Sequence, residues 1–132
     1  MAELPDNHAV ATGFLPAKSS AVWERLSDID NWPGIFPGWI ARVENDDDRW
    51  HVTGPTKEKF DFYPRPDAEQ HALDIEVIDE LGSADTLKLR LLDIPGGSLV
   101  LVSHGRLAGT SDAAWEFKRT GVAEGLSALS LD

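Results

Sequence analysis

The sequence predicts an α+β fold in which a curved antiparallel sheet closes on a long terminal helix. Three observations carry that reading. From Trp39 onward apolar residues recur with a period of two between regularly spaced turn residues; two short helical signals precede that run; and Ser111 to Leu129 returns to helical spacing.

The first strand is expected over His8 to Phe14, carried by Val10 and Phe14 and stopped by Pro16. Ser19 and Ser20 are good helix-capping types, and Val22 and Leu26 follow at helical spacing, so Ser19 to Ser27 reads as a short helix. Asp28 and Asp30 restart the cap signal for a further helical turn over Asp30 to Phe36, which Pro33, Gly34, Pro37 and Gly38 keep short. Six strands then fit between turn clusters: Trp39 to Glu44, Arg49 to Thr53, Lys57 to Tyr63, Glu69 to Ile78, Asp85 to Leu92 and Ser98 to Leu107. The loops are too short for parallel crossovers, so with the first strand they make a seven-stranded antiparallel sheet.

Alternation identifies the dry face. Leu73, Ile75 and Val77 oppose Asp74 and Glu76, while Leu87, Leu89 and Leu91 oppose Lys88 and Arg90. The cover is the last segment, where Thr110, Ser111 and Asp112 suit a helix start and Phe117, Val122, Leu126 and Leu129 fall on adjoining rows. A sheet that must bury one face, followed by one long amphipathic helix, resolves as a helix-grip arrangement with two short helices between strands 1 and 2. Residues 1–132 show no repeat and no linker, which is the expectation for a single domain.

Composition narrows the function. The 132 residues carry 12 basic and 23 acidic side chains, a formal charge of −11, and no basic stripe, which disfavours nucleic acid and anionic membrane surfaces as partners. The absence of cysteine removes disulfides, thiolate nucleophiles and zinc–thiolate sites. Met1 to Val10 lacks an apolar leader core, and no apolar run approaches the roughly 20 residues of a membrane span, so a cytoplasmic location is expected. No phosphate-binding loop, dinucleotide fingerprint, nucleophile elbow or zinc-protease motif occurs. The four histidines have no metal-ligand spacing, and Asp46 to Asp48 reads as a hairpin turn rather than a calcium loop, so neither a metal nor a cofactor is expected.

The segment Phe14-Leu15-Pro16-Ala17 leading into Ala21-Val22-Trp23-Glu24-Arg25-Leu26-Ser27-Asp28, then Asn31-Trp32-Pro33 and Phe36-Pro37-Gly38-Trp39, resembles the SRPBCC superfamily. The resemblance spans nearly the whole chain and is strongest to its polyketide cyclase/dehydrase and lipid transport family, beside the START and birch-pollen-allergen groups. It implies a cavity between sheet and C-terminal helix that takes apolar or aromatic small molecules. It transfers no catalytic motif.

Candidate wall residues follow from position. Gly121 and Gly125 sit about one turn apart on the last helix beside Val122, either opening space beneath the helix or allowing close backbone contact. Of five tryptophans, Trp39, Trp50 and Trp115 fall where they can face a cavity, although each also serves as core. On the strands, the inward set is read as Phe60 and Phe62, Leu73 and Ile75, Leu87 and Leu89, and Leu101.

Three polar residues share parity with these walls. His71 aligns with Leu73, Glu58 with Phe60, and Ser103 with Leu101, giving a candidate catalytic set for proton transfer. The alternative is that each lies at a strand end in solvent. His104 and Arg106 take the opposite parity on a strand apolar on both faces and are secondary candidates. The leading expectation is binding of an apolar or aromatic molecule as carrier, sensor or sequestering module. A cyclase/dehydrase-like enzyme using His71 with Glu58 or Ser103 is the first alternative. The second is a protein-interaction module that docks through Trp32 to Trp39. Oligomeric state is not encoded legibly.

Overall fold

The computed structural model describes residues 4–131; the first three residues of the N-terminal stretch lie outside them. The elements run β1 (His8–Leu15), α1 (Ser19–Leu26), a 3₁₀ turn (Ile29–Asn31), α2 (Trp32–Ile35), then β2 (Arg42–Asp46), β3 (Arg49–Thr53), β4 (Lys59–Asp67), β5 (Ala72–Asp79), β6 (Ala84–Ile94), β7 (Gly97–Gly105) and α3 (Asp112–Ser127). One sheet holds all seven strands in the order β1-β7-β6-β5-β4-β3-β2, every pair antiparallel. The meander therefore closes by bringing β7 back beside β1, and α3 lies across the concave face nearest β1. This is the expected α+β helix-grip arrangement.

Two boundaries differ from expectation for physical reasons. The Pro64 to Asp67 stretch is not a turn, because β4 continues through it, pairing Pro64 with Ile75 and Pro66 with Leu73. At that point β4 has run past the end of β3, so a missing N–H facing the free edge costs no ladder bond. Consequently β5 begins at Ala72 and not Glu69. The strand expected at Trp39 begins at Arg42, because Trp39 and Ile40 are pulled into a turn whose amides reach back to the Phe36 carbonyl at 3.0 and 2.8 Å.

α3 starts as its sequence dictates: the Ser111 hydroxyl accepts from the Ala114 amide at 3.1 Å and Asp112 occupies the first turn. Its inner row is Trp115, Gly121, Val122, Gly125 and Leu126. Phe117 does not belong to that row and is 57% exposed.

The segment from Trp32 to Trp39 folds into the interior. The Trp32 indole donates to the Leu26 carbonyl at 2.9 Å, and Trp32, Phe36, Trp39 and Phe62 form one aromatic cluster with ring centroids 5.0–6.2 Å apart. The docking alternative is weakened accordingly, since Ile35 and Phe36 are 5% and 1% exposed and offer no apolar patch.

The same cluster explains the two helix glycines. A Cβ on Gly125 would lie 2.5 Å from both the Ile35 carbonyl oxygen and the Phe36 ring, and one on Gly121 would lie 2.9 Å from the Gly38 backbone. They permit close contact between α3 and the α2 segment; they do not hollow the space against the sheet.

Candidate ligand-binding site

The deep interior between sheet and helix is filled. Phe62, Leu73, Ile75, Leu87, Leu89 and Val122 are each fully buried among core neighbours. Trp50 is half-buried and packs against the edge of that core, opposite Phe62. Leu101 is corrected outright, because β7 buries Ser98, Val100, Val102 and His104 and turns Leu99, Leu101 and Ser103 to the outer face. A strand apolar on both sides leaves its parity undecided in sequence, and a one-residue slip exchanges its faces.

Open space remains between β1 and α3, between the α2 segment and α3, and at one end of the grip, where the first turns of α3 stand over the ends of the central strands. A cavity of about 640 Å³ lies at that end. Its apolar walls are Trp39, Phe60, Val77, Leu107, Trp115 and Phe117. The β3–β4 turn contributes Glu58, the β5–β6 turn contributes Leu81, and α3 contributes Lys118. Four residues singled out in sequence therefore meet in one place: Trp39, Glu58, Phe60 and Trp115.

The proposed proton-transfer set does not assemble. His71 occupies the turn before β5 with φ of 48°, outside the strand whose parity it was expected to share, and stacks on Trp23 at 5.5 Å between centroids. The cavity touches the other end of β5, roughly 23 Å away along seven residues of extended strand. Ser103 lies on the outer face, sharing a 2.7 Å hydrogen bond with His8 Nε2. Glu58 alone of the three reaches the cavity.

Lys118 reaches the cavity as well, and His104 lies behind its Trp115 wall without lining it. Lys118 Nζ donates to the Gly105 carbonyl at 3.1 Å and sits 5.1 Å from the Trp39 ring centroid and 5.8 Å from that of Trp115. Burial pushes its pKa down to about 8, with Asp85 opposing the shift. His104 is fully buried with its ring edge against Trp115 at 5.5 Å, and among the described residues neither ring nitrogen has a partner. Burial, reinforced by the charges of Lys118 and His8, drives its pKa down to about 3, so it is neutral at pH 7. The Trp115 indole is itself fixed by donating to the Asp6 carbonyl at 3.0 Å.

Lys118 carried a signal that charge counting hides. Positions 115, 118, 122, 125 and 129 recur at the seven-residue spacing of a buried helical stripe, so Lys118 faces inward with Trp115 and Val122. Arg106 turns away, its guanidinium donating to the Thr110 carbonyl and pairing with Asp112 at 2.8 Å. Among the described residues no group of three or more His, Asp or Glu is placed to hold a metal ion, and no helix is long and apolar enough to cross a membrane.

No family model or curated protein matches this sequence. Solved structures do. The Zhui aromatase/cyclase from Streptomyces sp. R1128 superposes with a TM-score of 0.67 at 15% identity, covering 90% of each chain. A protein from Chromobacterium violaceum gives 0.69 at 12% identity over 96% of this chain and 99% of its own. Ara h 8.0201 gives 0.63 at 16% identity over 90% and 93%. The likeness shows the fold, a helix-grip arrangement shared with these proteins. Within this helix-grip frame the open end beside α3 offers the most apolar of the cavities.

Proposed function

We propose that this SRPBCC-fold protein binds an aromatic or apolar small molecule in the cavity at the N-terminal end of α3, as a carrier, sensor or sequestering module. The observation that carries the reading is the lining: six apolar residues, four of them aromatic or indole rings, wall about 640 Å³ of space that also carries charged groups such as Glu58, Asp79 and Lys118. That volume suits a two- or three-ring molecule. The structural likeness to an aromatase/cyclase supports the chemical type of the guest.

Binding without turnover is favoured because His71 and Ser103 stand away from Glu58, leaving the cavity without the proton-transfer set a cyclase-like reaction would need. A ligand that binds only the folded chain raises stability by RT ln(1 + [L]/Kd), about 2.7 kcal/mol at one hundred times Kd. Thermal melts with two- and three-ring aromatics and with fatty acids are expected to show a saturable rise for the aromatics. No rise with any of them would contradict the proposal, and a rise confined to the fatty acids would exclude the aromatic form of it.

A further inference from the structure

Lys118 presents the cavity with a positive charge that Asp85 offsets from a distance but that no carboxylate touches. Among the described residues it forms no ion pair. Only one of its three N–H donors is committed to a protein acceptor, the Gly105 carbonyl. The nearby carboxylates keep their charge but are held on backbone amides and make no contact with the ammonium. Asp85 on β6 accepts the Gly105 amide at 2.7 Å, and Asp79 accepts the Leu81 and Ser83 amides at 3.0 and 2.9 Å. Glu58 stands on the opposite wall, in the β3–β4 turn, folded over Gly54.

A desolvated ammonium without a contacting counter-ion is costly, and the two indole faces and the more distant Asp85 compensate only in part. An anionic oxygen brought by a guest would remove that cost, while the rings that hold the ammonium offer flat surfaces for its body. Resting on the binding role proposed above, the geometry points to an aromatic carboxylate as the ligand class, its carboxylate on Lys118 Nζ and its rings against Trp39 and Trp115. The acidic surface works against anions at long range, so the selectivity must come from this one contact.

The test compares 2-naphthoate with its neutral isostere 2-naphthamide by calorimetric titration of the full chain at pH 7. The acid is expected to bind roughly tenfold or more tighter, the scale of a charge-assisted hydrogen bond. Lys118→Met should abolish the preference of acid over amide, whatever it does to the affinity for either alone; Lys118→Arg should retain the preference. Equal affinities in the wild type, or a preference that survives Lys118→Met, would overturn the carboxylate assignment and leave aromatic binding intact. Binding of neither probe would overturn both.

A pH series on the wild type gives the same readout without a variant. The preference should fall as pH passes about 8; Asp85 from β6 and His104 from β7 act on the ammonium, and Glu58, Lys59, Asp79 and Glu80 are the other charged groups that line the cavity. A preference that is level through that range would count against the assignment.

Discussion

His104 and Lys118 set opposite ends of the pH response. His104 stays neutral in the fold down to about pH 3, whereas an unfolded histidine takes up a proton near 6.5. The unfolded state therefore binds more protons between those values, and stability falls as pH drops through them. Replacing His104 with Leu should remove up to about 1.4 kcal/mol per pH unit of that slope and, by deleting two unpartnered nitrogens, add about 1 kcal/mol at pH 7. Denaturant midpoints of the variant across pH 4 to 7 check this; an unchanged acid slope would mean that His104 is protonated in the fold. For Lys118 the folded chain releases its proton near 8 and the unfolded chain near 10.5, so stability rises with pH between them. Lys118→Met should be flat over that window. His51 acts in the other sense, since the hydrogen bonds it donates to the Asp61 and Asp46 carboxylates raise its pKa and favour the fold in acid. These three were unequally legible in sequence. The inward stripe of α3 held Lys118 in plain spacing, His104 was masked by a strand apolar on both faces, and His71 was misplaced because a left-handed turn residue breaks strand parity.

At the scale of elements, the α2 segment decides how much of the interior is empty. Its aromatic side chains fill the space that the glycine stripe of α3 was expected to open, and the glycines exist so that the two can touch. Gly125→Ala makes the competition measurable. The substitution gains about 1 kcal/mol of helix propensity, yet its Cβ meets a backbone carbonyl that cannot swing aside, a clash of about 1–3 kcal/mol. A net loss of up to about 2 kcal/mol in chemical denaturation is expected; a gain would show that α3 can shift outward freely. Trp32→Ala should cost about 3–5 kcal/mol, because it removes the centre of the aromatic cluster and its bond to Leu26. The strands were legible where period two was clean, as in β5 and β6. β4 was cut short because prolines mark turns everywhere except along a free edge.

Across the whole molecule, the order of elements was readable because each apolar face had one place to go. The site was less so, since its walls come from the β3–β4 and β5–β6 turns, the loop after β7 and the start of α3, which only the closed grip brings together. Two of the five tryptophans line the cavity, Trp39 and Trp115, while Trp23, Trp32 and Trp50 do not, which supplies internal reporters. A ¹⁵N titration of the indole N–H signals with 2-naphthoate tests the cavity most directly. Saturable shifts at Trp39 and Trp115, with the other three nearly still, are what the structure predicts. Signals that stay fixed throughout, or that move at Trp23 or Trp50 instead, would contradict it.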